Sequence, residues 1–219
     1  MGFGDLLEDY GGVYLEALWV TYELTLLSFA AALVLGTALT VMRVSPAAPL
    51  RLAAGFYIQV FRNIPGITLL IFMVYALPNL DIMLSYFACV LWATAMIVAA
   101  FCSDYLMSGI NAVPPGQIEA ARSLGMGFAG IVRVVVLPQA LRSSVLPLTN
   151  LLIATMLTTA MASQIPLKPP ELTGVVAHVS TYSAGALKAF LITSALYCAT
   201  ALAIGLAGNM LHRRLRVPR

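Results

Sequence analysis

Charge is what this 219-residue chain has least of. Asp, Glu, Lys and Arg together make up 10% of it, against about 25% in an ordinary soluble domain. With 61% hydrophobic residues and a mean hydropathy of +0.93, too little polar surface is left to face water, which excludes a soluble globular fold. Cysteine and histidine are almost as sparse. Cys89, Cys102 and Cys198 fall in apolar runs without CxxC spacing or neighbouring histidines, so they read as packing residues rather than disulfides or zinc ligands. His178 and His212 stand apart from each other, and no cluster with Cys or carboxylates suggests a metal site. A Walker-type phosphate loop, a GxSxG elbow, a HExxH helix and a GxGxxG after a strand are all missing. The chain is therefore expected to be no enzyme and to hold no cofactor of its own. The first apolar stretch follows Asp5, Glu8 and Asp9 with no leading cation, which is not the pattern of a cleavable signal peptide.

What is abundant is uninterrupted apolar sequence. Crossing a hydrocarbon core of about 30 Å takes roughly 20 mostly apolar residues in a helix. Five stretches supply that: about 15–42, 52–77, 82–106, 131–161 and 184–211. Period-two alternation is absent, against a membrane barrel. The expected fold is all-α and polytopic, with five transmembrane helices in one membrane domain, 15–212. A segment 1–14 precedes it and a basic tail, 213–219, follows.

Cations set the expected orientation, since Lys and Arg near helix ends are retained on the cytoplasmic side. None precedes Arg43. Arg43 and Arg51 flank the first connection, Arg122 and Arg133 the third, and Arg213, Arg214, Arg216 and Arg219 crowd the tail, whereas the second connection, near Pro78 and Asp81, has none. The N-terminus is then external and the C-terminus cytoplasmic, in a plasma (inner) membrane. The net charge of +3 thus describes topology and contact with anionic lipid, not a nucleic-acid partner.

One cytoplasmic connection carries a pattern of its own. Pro114 and Pro115 stop the third span, since proline lacks an amide donor and its ring blocks the preceding turn. Helix formers follow, with Ile118, Ala121 and Leu124 spaced for one apolar stripe, and Gly125 suits a left-handed helix terminus. A short amphipathic helix is expected within about 114–126, as a surface strut or as a helix seated in a partner's groove.

Polar residues inside the spans form a second group, because each is expensive in hydrocarbon and usually faces a bundle interior or a water-filled path. Arg62 and Asn63 lie well inside the second span, and Pro65 is placed to open that helix. On the fourth span Asn150, Thr155, Thr158 and Thr159 offer neutral donors and acceptors, the three threonines at i, i+3, i+4 spacing. A solute path is one reading. The other is structural: an arginine paired to a partner group, and hydroxyls bonded to their own helix. Glu16 and Glu23 near the outer end of the first span read as a hydrated face. The segment 164–173, with Pro166, Pro169 and Pro170, cannot be one regular helix.

Glu119-Ala120-Ala121, Gly125 beyond it and then Leu137-Pro138 resemble the EAA signature of permease subunits of binding-protein-dependent ABC importers. Phe61-Arg62-Asn63-Ile64-Pro65, Ser108 to Pro114, Pro138 to Arg142 and Pro147 to Asn150 are similar to the polar amino-acid uptake branch, including glutamate-type permeases. The resemblance implies a five-helix type I, MetI-like importer fold and import of a polar amino acid. Its implied partners are a second permease subunit, a cytoplasmic ATPase dimer that binds ATP and Mg, and an external solute-binding protein. It makes the short helix the coupling helix, with Gly116, Glu119, Ala120, Ala121 and Gly125 at the ATPase joint. Two departures stand out. Many relatives carry Lys with Asp or Asn before a threonine where this chain has Leu157 and Thr158. Many also have Glu and Arg three apart in the third span, where this chain has Asp104 and Met107, so Asp104 needs another partner or water. Composition and Arg62 alone would also allow an ATP-independent secondary transporter or channel; a membrane-embedded enzyme would need converging catalytic groups that the sequence does not offer.

Overall fold

The computed structural model describes residues 3–183 and 185–215. The expected start of the fifth span at Ala184, and Arg216 and Arg219 of the tail, lie outside them. Every regular element among the described residues is helical. Helix α1 runs Phe3–Val44, 42 residues without a break, so it begins well before the expected 15–42 span. After α2, Ala48–Asn63, and α3, Gly66–Ile71, the chain passes through a π turn, Phe72–Ala76, and a 3-10 turn, Leu77–Leu80. Helix α4, Tyr86–Asn111, starts at Ser85, whose Oγ accepts the Ala88 N–H at 3.1 Å. Helix α5, Pro115–Ser123, is the expected amphipathic helix, with a proline in its first turn where no donor is missed.

Two expected spans are corrected. The 52–77 run is not one helix: α2 and the α3 segment meet at 100°. Pro65 cannot donate to the helix and pushes Ile64 to an extended conformation, φ −84° and ψ 127°. The 131–161 run is also broken. It passes through α6, Phe128–Gly130, a π turn, Ile131–Val136, and α7, Leu137–Ser143, before α8, Val145–Thr158, which ends in a 3-10 turn, Thr159–Gln164. Only Val145–Gln164 of this region is long and straight enough to span. The part before it lies against α4, where Ser144 Oγ donates to the Tyr105 carbonyl at 3.1 Å. Between 164 and 183, sequence reading missed α9, Leu172–Tyr182. Helix α10, Ala186–Leu215, closes the chain. Four helices qualify as spans, and the bent α2–α3 pair makes a fifth.

Helix α4 is the axis of the bundle. More than half of its apolar window is buried, 56%, against 11% for α10, whose outward face is left uncovered by this chain. Helix α1 packs closely on α4 because Gly36 lets it: a Cβ there would lie 2.7 Å from Cys102 Cβ and 2.9 Å from the Ala99 carbonyl. One core joins Leu39, Ala54, Ala99 and Leu106 at this crossing; another gathers Leu6, Tyr14 and Ala17 against α9 and α10. Tyr14 fastens the second by donating to the Ala189 carbonyl at 3.1 Å.

Candidate functional site

Helix α5 divides cleanly into two faces. Ala121 is buried with Val113, Ile131 and Val136, and Ile118 packs on that cluster. Gln139 Nε2 donates to Gln117 Oε1 at 2.6 Å and ties the helix to α7. Gly116, Glu119 and Ala120 are exposed. The expected apolar stripe stops one turn short, since Leu124 is 82% exposed rather than turned inward with Ile118 and Ala121. The chain leaves through Gly125 at φ +77°, a backbone state that a Cβ disfavours. A short rigid helix is thus fixed to the bundle by one side and presents Glu119, Ala120 and Leu124 on the other.

The second site is a charged node. Asp104 has protein partners on both oxygens, so the other partner it was expected to need comes from the chain itself. Arg43 Nη1 donates to Oδ1 at 2.7 Å and Arg62 Nη1 to Oδ2 at 2.5 Å. Arg43, 61 residues away in sequence, takes the place at Asp104 that Met107 leaves open. Two guanidiniums on one carboxylate leave one net positive charge. Arg62 has Asp104 as its sole hydrogen-bond partner among the described residues, and its side chain is 44% exposed. Its Cζ stands 5.4 Å from the centre of the Phe101 ring, which braces the guanidinium from one face. Several of its N–H donors therefore point at no protein acceptor. Asn63, beside it, spends its Nδ2 on the Gln59 carbonyl at 2.6 Å.

The fourth-span residues are not gathered at this node by any hydrogen bond. Thr155 donates to Leu151 O at 2.7 Å, Thr158 to Ala154 O at 2.8 Å and Thr159 to Met156 O at 2.7 Å, each within its own helix. Thr155 and Thr159 are buried, Thr158 is half-buried and Asn150 is exposed. Among the described residues no group of three or more His, Cys, Asp and Glu is arranged to hold a metal ion.

Sequence reasoning also missed Glu171, which is 1% exposed. It caps α9 by accepting the Thr173 and Gly174 N–H groups at 2.7 and 2.8 Å, and takes the Tyr197 hydroxyl at 2.9 Å. Burial raises its carboxyl above the ordinary value near 4.5, opposed by these donors. A carboxylate followed by Leu-Thr-Gly at a helix start was the available signal.

Residues 26–217 match the family model of the binding-protein-dependent transport system inner membrane component. The chain belongs to that family. As a permease of this family it crosses the inner membrane several times and works with a separate ATPase, a paired permease subunit and an extracytoplasmic binding protein. ATP hydrolysis belongs to that ATPase. The permease is 40% identical over 172 residues, 73% of its length and 75% of the relative's, to the glutamate transport system permease protein GluC of Corynebacterium efficiens. It is 35% identical over 224 residues, 97% of its length and 98% of the relative's, to the GluC protein of Corynebacterium glutamicum. Among solved structures, one chain of an amino acid ABC transporter crystallised with histidines superposes with a TM-score of 0.88 at 28% identity, covering 98% of this permease and 99% of that chain. A chain of the MetNI methionine ABC transporter in an inward-facing conformation shares the fold, with a TM-score of 0.80 at 24% identity over 96% of the permease and 99% of that chain.

Proposed function

We propose that this permease imports a polar amino acid of the glutamate or glutamine type, delivered by the external binding protein and released to the cytoplasm. The observation that carries this reading is the charged node: one uncompensated positive charge, with free Arg62 donors, at the break between two membrane helices. A substrate carboxylate completes the set of donors that Asp104 leaves open. The likeness to glutamate permeases supports the same class. Arg62 and Asn63 on α2, with Asn150, Thr155, Thr158 and Thr159 on α8, are the proposed path. Of the three threonines, Thr158 is the least buried. The N-terminus is outside and the C-terminus inside, with 1–14 external, 15–212 the transmembrane domain and 213–219 the cytoplasmic tail.

Coupling runs through α5. Its outward face, with Gly116, Glu119 and Ala120, seats in the ATPase, Ala121 transmits the load to the bundle, and Gly125 makes the exit. Reconstituting the permease with its ATPase, paired permease and binding protein tests this reading through ATP-dependent uptake of labelled glutamate and glutamine. Arg62→Gln is expected to lower uptake at least tenfold with assembly intact. Unchanged uptake removes Arg62 from the path, and uptake without ATP removes the coupling role.

A further inference from the structure

A cavity of about 310 Å³ lies between the Arg43 end of α1 and the coupling helix. Val41 and Val44 form one wall, Ile118 and Arg122 of α5 another, and Phe128 and Val132 of the following segment a third. On the α1 side the Thr40 hydroxyl is already spent on the Gly36 carbonyl at 2.7 Å, which leaves Thr37 as the one neutral hydroxyl in an otherwise apolar wall. Such a lining gives water few partners, and apolar cavities of this kind take apolar guests. The volume is that of about ten water molecules at ~30 Å³ each, enough for a length of hydrocarbon chain rather than a whole solute. Val41 is 42% and Phe128 46% exposed, so the cavity communicates with the flank of the bundle.

Arg122 adds charge to this apolar site. Arg122 is exposed, and its guanidinium has no hydrogen-bond or ion-pair partner among the described residues. It stands one turn beyond Ile118 on the same side of α5. Basic pockets between spans on the cytoplasmic side attract anionic lipid head groups. We propose that this cavity binds an anionic phospholipid of the cytoplasmic leaflet, with an acyl chain among Val41, Val44, Ile118, Phe128 and Val132 and its phosphate at Arg122. The proposal rests on the placement of α5 at the cytoplasmic face. A lipid held this way touches both α1 and α5, and so ties the helix that meets the ATPase to a span that does not. Its occupancy favours the arrangement of α5 seen in this structure over any in which α5 has moved away from α1.

The experiment uses the assembled transporter in bilayer discs of equal phosphatidylglycerol and phosphatidylcholine, with native mass spectrometry of the gently released complex counting the phospholipid retained. Wild type is expected to retain phosphatidylglycerol over phosphatidylcholine by about fivefold. Arg122→Gln is expected to retain both alike, and Val41→Trp, which fills the cavity from an exposed position, neither. Should Val41→Trp fail to assemble, Val41→Cys treated with a bulky maleimide after assembly makes the same test. Wild type without head-group preference overturns the proposal, as does a blocked cavity that keeps its lipid. A photo-crosslinker on Val41→Cys that captures the paired permease instead of phospholipid overturns it too. Retained lipid is read without transport, so failure here leaves the uptake reading standing, and failed uptake leaves this one standing.

Discussion

Helix α5 and the charged node are both polar features of an apolar chain, and they are finished to different degrees. At the node the Asp104 carboxylate has a guanidinium on each oxygen, one from α1 and one from α2, and a single positive charge is left over. On the outward face of α5 the side chains of Glu119 and Ala120 project away from the bundle, and Leu124 is left almost bare. A fold that satisfies the Asp104 carboxylate from 61 and 42 residues away, yet leaves Leu124 82% exposed, offers at α5 a surface suited to a partner. Completed polar contacts hold the permease together, and incomplete ones are where it meets something else.

The largest effect is expected where the unfinished face is blocked. Ala120→Trp should abolish retention of the ATPase in a purified complex while the thermal stability of the permease itself stays within about 0.5 kcal/mol. Full retention of the ATPase would break the comparison. Asp104→Ala should do the reverse. It leaves two part-buried guanidiniums unpaired, and after allowance for their partial exposure should lower stability by about 2 kcal/mol, with recovery in Asp104→Glu, as followed by thermal unfolding. Gly125→Val comes next, at roughly 1–2 kcal/mol of left-handed backbone strain. Nothing lies within 4 Å of a Cβ at this position, so the damage is conformational, not steric. ATP hydrolysis measured beside uptake should show the two uncoupled.

The smallest effect concerns Glu171, a finished contact outside the spans. Its folded pKa is raised above the ordinary value near 4.5, so the folded state holds the proton more tightly than the unfolded state. Its favourable contribution is complete below about pH 4.5 and is lost as pH rises through the folded value. Glu171→Gln, which keeps an acceptor for the cap, should flatten that dependence in melts taken across this window.

Helix α5 was legible because its boundaries are local chemistry. Pro114, Pro115 and Gly125 act through the backbone of their own turn, and α5 falls between them. The spans were legible as hydrophobicity but not as direction, since the run around Ile64 and Pro65 has the same composition whether the chain continues or turns by 100°. The apolar run after Ile131 hid its breaks for the same reason. Arg62 was visible as an expensive residue. Its partner was visible as well, as an acid without one, but joining them required knowing that α2 and α4 cross at that height. Arg43, read as a loop-flanking cation that marks orientation, belongs to the same node. The three threonines show the converse, since a shared helical face in sequence became two buried residues and one half-buried one, each hydroxyl bonded within its own helix.

Helix α1 is about 63 Å long at ~1.5 Å per residue, roughly twice the thickness of the oily slab it crosses. With Arg43 at one boundary, the opposite boundary of an upright helix falls near Glu23, about 30 Å away. Glu16 and the acidic turns before it then stand on a mast beyond the lipid. Its upper half is rigged to the rest of the molecule: Tyr14 is lashed to α10, and the Thr21 hydroxyl accepts the first N–H of α9 at 3.1 Å. A visitor approaching from that side meets this stiff, negatively charged superstructure before it meets the rest of the bundle.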